Sequence, residues 1–145
     1  MRLFMVCTRQ LVLGLLCCVS ISAAAQTANG LSAPKVVSLE AAREAIDKSS
    51  AIVIDIREPN EHATGVAKGA TGVAKGAKLI PMSQLSQRIK EVPQSPDQPV
   101  LLICNTQNRS SRVAEQLRAA GYSNISYVNG GMSQWATRNW PMVKP

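Results

Sequence analysis

The chain has 145 residues, 16 basic and 9 acidic side chains, and a formal net charge of +7 at neutral pH. This length is enough for one compact domain. Because the basic residues are spread along the chain and aromatic residues are few, the composition disfavours a nucleic-acid-binding protein and is compatible with small anionic ligands.

The first 25 residues have the pattern of a removable signal peptide. Arg2 and Arg9 make the start basic, residues 11–25 carry no charge, and the run of three alanines ending at Ala25 offers a cleavage site. The apolar stretch is shorter than the roughly 20 residues that a membrane span needs. We therefore expect export and cleavage, with no membrane association afterwards. An uncleaved anchor is the alternative.

Cleavage would leave one thiol, that of Cys104, because the other three cysteines lie within the first 25 residues. An exported protein meets conditions that favour disulfides, yet a single cysteine cannot form an internal bridge. One cysteine and one histidine also give no convincing zinc site. The thiol of Cys104 is thus a candidate functional group.

Residues 26–35 read as a flexible lead-in, and residues 36–145 as the folded domain. Short apolar runs predict strands at 36–37, 51–56, 78–81, 100–103 and 125–128. Apolar spacing and capping residues predict helices at 39–48, 83–92 and 110–120, and a last short helix within 130–140. Ser38 is the expected N-cap of the first helix, and Gly121 the stop signal of the third.

Alternation of strands and helices predicts an α/β fold with a central parallel sheet covered by helices on both faces. Ligands of such sheets bind at the carboxyl ends of the strands. Cys104 directly follows the clearest strand, residues 100–103. Its position is therefore one at which chemistry is expected.

The heptapeptide TGVAKGA occurs twice in succession, at residues 64–70 and 71–77. Two copies are too few for a solenoid. A duplication within a loop costs little, about 0.6 kcal/mol per doubling of loop length. The insertion is either a tolerated surface feature or a change to the rim of the active site.

Residues 104–110, hereafter the cysteine loop, have the composition of an anion site between a strand and a helix. Backbone N–H groups and the helix N-terminus would stabilise the thiolate of Cys104, and Arg109 would add a positive charge. Ser110 is placed to cap the following helix. The residues between are uncharged: Asn105, Thr106, Gln107 and Asn108. A buried structural cysteine is the alternative.

Several motifs occur together in an order that is typical of one family. They are Asp55-Ile56-Arg57 followed by Glu61, a G-x-x-x-G-A stretch before Ile80-Pro81, the cysteine loop, and GGMSQW at 130–135. With them, the chain resembles the single-domain rhodaneses, which are thiosulfate sulfurtransferases, and most of all the small periplasmic rhodaneses of the phage-shock type.

The resemblance implies a rhodanese-like fold and a periplasmic location. It implies that Cys104 takes sulfur from a small anionic donor such as thiosulfate, and that the backbone N–H groups of residues 105–110 hold the transferred sulfur. A thiol, including a protein thiol, or cyanide would accept it. Arg109 would orient the donor, Asp55 and Arg57 would support the site, and no metal or organic cofactor would be needed.

Loop length also bears on the activity that the resemblance implies. Four residues separate Cys104 from Arg109, whereas related phosphatases and arsenate reductases have five. The spacing thus favours a sulfurtransferase over a phosphatase or arsenate reductase. A rhodanese-like module that carries a persulfide or binds an anion without turnover stays open as an alternative.

The chain departs from the family pattern in three respects, one of which is the duplication, because either repeat copy could occupy the family position. Gln107 stands where the family often has glycine, which would cost on the order of 1 kcal/mol if that residue needs a positive φ. Val66 and Val73, one in each repeat copy, replace a usual histidine. His62 is not expected to act as a base, because a thiolate in a positive loop needs none.

Overall fold

The computed structural model describes residues 33–63 and 73–144. The predicted signal peptide, most of the lead-in and the first repeat copy lie outside these ranges. No helix within them is long and apolar enough to cross a membrane.

Five strands form one parallel sheet. In chain order they are β1 (Lys35–Val37), β2 (Ile52–Asp55), β4 (Lys78–Leu79), β5 (Val100–Ile103) and β6 (Ile125–Val128). Their spatial order is β1-β6-β5-β2-β4, and each neighbouring pair is parallel. The predicted parallel sheet is confirmed, and β5, which precedes Cys104, is its central strand.

The described residues form four α-helices, which are α1 (Leu39–Asp47), α2 (Pro59–Ala63), α3 (Asn108–Ala119) and α4 (Gly131–Thr137). Ser38 caps α1 as expected, since its side-chain oxygen accepts a hydrogen bond from the backbone N–H of Ala41 at 3.1 Å. Just beyond α3, Gly121 has a φ of +96°, a conformation that glycine adopts without strain. Both boundary predictions are confirmed.

Alternate residues of β5 point to opposite faces of the sheet, and each face is covered by helices. Leu101 and Ile103 belong to one apolar cluster, which α1 and α4 complete with Leu39, Ala42, Met132 and Trp135. Val100 and Leu102 belong to a second cluster, which α3 completes with Val113, Ala114 and Leu117. Burial of one such side chain is worth about 1.5–3 kcal/mol. Helices on both faces are thus confirmed.

Residues 83–92 do not form the predicted α-helix. Residues 82–91 instead form two 3₁₀-helices, Met82–Gln84 and Ile89–Glu91, joined by a turn. Pro81 and Pro93 bound the segment, and such short helices are marginal on their own. The apolar spacing was informative nonetheless, because Leu85 and Ile89 pack against the second cluster.

Two strands of two residues each were missed. β3 (Val73–Ala74) pairs in antiparallel fashion with β7 (Met142–Val143). Both residues of β3 are buried, so the second repeat copy is more than a loop. The second copy, not the first, supplies the residues that lead into β4. Pairs this short leave no alternating pattern in a sequence.

Candidate active site

Cys104 lies at the carboxyl end of the central strand, four residues before α3 begins. Its side chain belongs to the second apolar cluster, and the residue is only 1% exposed. The expected position is confirmed, and the sulfur is largely shielded from bulk water.

The sulfur of Cys104 contacts Ser110 twice. The backbone N–H of Ser110 donates to Sγ at 3.4 Å, and the thiol lies 3.4 Å from the hydroxyl oxygen of the same residue. That hydroxyl donates to the carbonyl of Gln107 at 3.0 Å. Ser110 therefore does not cap α3, contrary to expectation. It lies inside the first turn, where its hydroxyl reaches both the sulfur and the preceding loop, and the N-cap residue is Gln107.

Carbonyl groups of the cysteine loop point towards α4. The carbonyls of Cys104 and Asn105 accept hydrogen bonds from the N–H groups of Met132 and Ser133, at 2.8 and 2.9 Å. The N–H groups of residues 105–109, in contrast, donate to no acceptor within the described ranges. Such a loop presents free donors to an anion at the start of a helix.

Close contact between the cysteine loop and α4 requires glycine. Gly131 has a φ of +58°, and a Cβ there would lie 2.4 Å from the carbonyl oxygen of Cys104. Any side chain would push the loop away from α4. This approach explains the second glycine of the GG pair that precedes MSQW in the sequence.

Gln107 adopts an unstrained conformation. Its φ is 175°, which is extended backbone, so the expected cost of replacing glycine does not arise. Its side-chain oxygen accepts a hydrogen bond from the N–H of Gly130 at 3.1 Å. The residue thereby ties the cysteine loop to the turn before α4.

Arg109 is paired with a carboxylate. Two nitrogens of its guanidinium donate to the two carboxylate oxygens of Glu61, each at 2.5 Å. Glu61 also accepts from the N–H of Glu58 at 2.9 Å. The hydrogen bonds from Arg109 lower the pKa of Glu61, and those to Glu61 raise the pKa of Arg109. The positive charge expected in the loop is thus balanced by Glu61.

Sequence reasoning gave Glu61 no role, although the residue belongs to the matching motifs. Its position six residues after the end of β2 was the available signal. Strand ends of β2 and β5 are neighbours in a parallel sheet, so a carboxylate following one can meet an arginine following the other.

Asp55 and Arg57 form a buried ion pair at the end of β2. The carboxylate of Asp55 accepts from the backbone N–H of Arg57 at 3.0 Å and from its Nη2 at 2.7 Å, and both side chains are fully buried. This geometry suits the supporting role inferred from the sequence. Breaking such a pair is costly, because one buried charge would remain uncompensated.

His62 packs against this ion pair. The residue is 3% exposed, and its Nε2 lies 3.8 Å from Oδ2 of Asp55. Neither ring nitrogen has a hydrogen-bond partner in the described part of the chain. Burial lowers the pKa of His62, and Asp55 opposes this only in part. The imidazole is therefore neutral at pH 7.

The other predicted loop residues differ in exposure. Thr106 and Asn108 are exposed, whereas Asn105 is half-buried and its side-chain oxygen has no hydrogen-bond partner among the described residues. The structure therefore brings Cys104, Arg109 and Ser110 together and leaves two loop side chains pointing to solvent.

Residues 38–138 match the rhodanese-like domain family. The chain belongs to this family. The matched span includes the whole cysteine loop, both ion pairs and α4.

Among rhodanese relatives, the uncharacterized protein YqhL of Bacillus subtilis is 41% identical over 83 residues, which are 57% of this chain and 59% of that protein. A protein named sulfurtransferase from Allochromatium vinosum is 29% identical over 99 residues, covering 68% of this chain and 84% of that one. The chain thus spans about three fifths of its B. subtilis relative.

Solved structures show the same fold. A rhodanese-related protein from Thermoplasma volcanium superposes with a TM-score of 0.63 at 28% identity, over 77% of this chain and 99% of the other chain.

Proposed function

We propose that the protein is a sulfurtransferase that moves sulfane sulfur from thiosulfate, or a similar small anionic donor, to a thiol through a persulfide on Cys104. The proposal is carried by one observation. The Cys104 sulfur lies at the end of the central strand, 3.4 Å from the N–H of Ser110, in a loop with unused N–H donors.

In the first step, the Cys104 thiolate attacks the outer sulfur of thiosulfate. A bond forms between the two sulfurs, the sulfur–sulfur bond of the donor breaks, and sulfite leaves with the electron pair. The persulfide keeps one negative charge, which the N–H groups of residues 105–110 stabilise in the manner of an oxyanion hole. No external oxidant or reductant is needed.

In the second step, the thiolate of an acceptor attacks the outer sulfur of the persulfide. The bond between this sulfur and Sγ breaks, and Cys104 leaves as a thiolate, ready for another donor. Cyanide replaces the thiol in an assay and leaves as thiocyanate. The hydroxyl of Ser110, 3.4 Å from Sγ, can rotate to donate to the thiolate formed in this step.

A persulfide carrier without useful turnover is the second candidate. Two observations favour it: both guanidinium nitrogens that face Glu61 are occupied, and Cys104 is 1% exposed. Both features would limit access of a free dianion and favour delivery of sulfur by a protein. A phosphatase is less well supported, because four residues rather than five separate Cys104 from Arg109.

The proposal includes a periplasmic location, which rests on the pattern of residues 1–25. Expression of the full chain in a Gram-negative host, followed by fractionation and intact mass measurement, tests it. The expected product is periplasmic and begins at Gln26. A full-length product in the cytoplasm would contradict this part.

Turnover is tested with protein purified from cells that express the whole chain, beside Cys104→Ser. Both are incubated with thiosulfate and weighed, then treated with cyanide while thiocyanate is followed. We expect the parent alone to gain one sulfur and to release it over many turnovers. A stable persulfide without turnover would identify the carrier, and hydrolysis of an arylphosphate without any sulfur gain would indicate the phosphatase.

A further inference from the structure

An apolar groove lies between α3 and the segment of 3₁₀-helices, with a volume of about 450 Å³. Its walls are formed by Met82, Leu85, Ile89, Val113 and Leu117. Met82 is 43% exposed, and it is one of three large apolar side chains that are exposed in the described ranges. An apolar depression with a polar rim is typical of a site for another protein.

The rim of this groove is basic. Arg109 and Arg112, one turn apart on α3, both line it. Arg112 is exposed and forms no ion pair with any residue that the structure describes. On the two walls, Glu91 is already paired with Arg88 and Lys78, and Glu115 does not line the groove. The groove therefore offers apolar contact together with an unbalanced positive charge.

The groove reaches the first turn of α3, where Ser110 contacts Cys104. Arg109, which lines it, immediately precedes Ser110, whose N–H contacts Sγ of Cys104. The opposite wall is held in place because Ser83 donates its N–H and its hydroxyl to the carboxylate of Glu58, at 2.9 and 2.7 Å. A chain bound in the groove would thus approach the cysteine loop along a fixed surface.

We propose that this groove binds the sulfur acceptor, and that the acceptor is a protein whose thiol is flanked by an apolar side chain and by carboxylates. The apolar side chain fills the groove, a carboxylate pairs with Arg112, and the thiolate then removes the outer sulfur from the Cys104 persulfide. This inference rests on the proposed function, which supplies the persulfide.

The test uses two blocked synthetic peptides of equal length, each with one cysteine beside a leucine. One has glutamates around this pair and the other has lysines. Protein loaded with sulfur from thiosulfate is mixed with each peptide, or with dithiothreitol, and loss of the persulfide is followed by mass. We expect the glutamate peptide to discharge the protein about tenfold faster than the lysine peptide, because like charges at an interface are strongly disfavoured.

Two variants locate the effect. Arg112→Glu should abolish or invert the preference for the glutamate peptide and leave discharge by dithiothreitol unchanged. Lys35→Glu, an equal charge change on exposed β1 at the far edge of the sheet, should keep the preference. Met82→Ala should slow discharge of the persulfide by both peptides several-fold without altering the preference for the glutamate peptide.

Equal discharge by the two peptides, or an unchanged preference in Arg112→Glu, would overturn the proposal. Serine analogues of the peptides cannot accept sulfur. Their binding, measured by fluorescence anisotropy, therefore tests the groove independently of sulfur transfer. If thiosulfate adds no sulfur, the proposed function fails, whereas selective binding of the glutamate analogue would still support the groove. Sedimentation that shows self-association lost in Met82→Ala would assign the groove to a second copy of this chain and refute an acceptor site.

Discussion

The pairing of Glu61 with Arg109 is the residue-level feature that most changes expectations about the site. An arginine beside a nucleophilic sulfur suggests direct contact with an anionic donor, but this guanidinium is held by two short hydrogen bonds to a carboxylate. Held in this way, Arg109 fixes the start of α3, and with it the Ser110 N–H that contacts the sulfur. The backbone N–H groups then remain as the main hydrogen-bond donors available to an anion.

Glu61→Gln should destabilise the protein by about 1–3 kcal/mol at pH 7, since it weakens a charged, partly buried pair. The pKa of Glu61 lies below its ordinary value of 4.5 in the folded protein. The carboxylate therefore stabilises the fold above that pH, and this contribution is lost as the pH falls through the lowered pKa. Urea unfolding at several pH values measures the difference between variant and parent.

Glu44→Gln is the matched control for Glu61→Gln. Glu44 is also paired, with Lys48, but both side chains are exposed. Its removal should leave the free energy of unfolding nearly unchanged, because exposed ion pairs contribute little to stability. A loss from Glu61→Gln that is equally small, or that does not shrink as the pH falls below 4.5, would show that the pair does not hold the site together.

His62 presents a different problem, because it is buried with both ring nitrogens unpartnered in the described part of the chain. Replacing it by leucine should stabilise the fold by about 1 kcal/mol at pH 8, since a buried polar group is removed. The charged groups that face it are Asp55, Arg57, Glu61 and Glu58, of which Asp55 alone is within 4 Å in the described ion pairs.

The gain in free energy of unfolding that His62→Leu shows over the parent should grow as the pH falls. The pKa of His62 is lowered in the folded protein, so the unfolded chain, with a pKa near 6.5, binds the proton first. The parent thus loses stability as the pH falls through about 6.5. His62→Gln removes the titration but keeps a polar group. It should therefore show neither the higher stability of His62→Leu at pH 8 nor the parent's loss of stability as the pH falls. If the parent instead gains stability on acidification, protonated His62 pairs with Asp55.

At the scale of elements, the sequence predicted the strands and helix ends that leave a local pattern, namely apolar runs and capping residues. The apolar runs at 51–56, 100–103 and 125–128 correspond to β2, β5 and β6, because strands buried on both faces have no polar side. Features that depend on contacts between distant residues were missed. These include the β3–β7 pair and the role of Glu61, since neither two-residue strands nor single carboxylates carry a local pattern.

The same distinction explains the errors in the cysteine loop. Sequence placed Cys104, Arg109 and Ser110 correctly at a strand end and a helix start. It could not show that Gln107 has an extended backbone or that its side chain reaches Gly130, because both follow from how α4 approaches the loop. Local chemistry was predictable, whereas the partner of each side chain was not.

Deletion of one repeat copy is the prediction that belongs to this scale. Because the copies are identical, removal of residues 64–70 or of residues 71–77 gives the same chain. The remaining copy supplies the Val-Ala pair of β3 and the approach to β4. We therefore expect the free energy of unfolding to change by no more than about 1 kcal/mol, measured by urea denaturation.

The same deletion separates the two interpretations of the duplication. A tolerated insertion predicts an unchanged rate of persulfide formation with thiosulfate. A change in this rate of more than about tenfold, without a matching change in stability, would mean that the longer segment alters the rim of the active site. Loss of folding would show that the fold requires both copies and would contradict a tolerated insertion.

At the scale of the whole molecule, the architecture directs two helices from opposite faces of the sheet to one point. α3 begins beside the sulfur of Cys104, and α4 begins at the carbonyls of Cys104 and Asn105. The parallel arrangement makes this possible, since the strands before both helices, β5 and β6, are neighbours and end at the same edge. The site is therefore a product of topology, with few side chains contributing charge.

Because Arg109 is paired with Glu61, attraction of an anionic donor should depend on the overall charge of the protein. Cleavage after Ala25 removes Arg2 and Arg9 and leaves 14 basic and 9 acidic residues, a net charge of +5. Such a charge raises the encounter rate of anions at low ionic strength, and salt of about 0.3 M screens it within a few ångströms. We expect kcat/KM for thiosulfate to fall several-fold between about 0.02 and 0.3 M NaCl, with kcat nearly unchanged.

Discharge of the persulfide by neutral dithiothreitol is the control and should vary little. A kcat/KM for thiosulfate that is independent of salt would mean that the N–H groups of the cysteine loop alone determine donor capture.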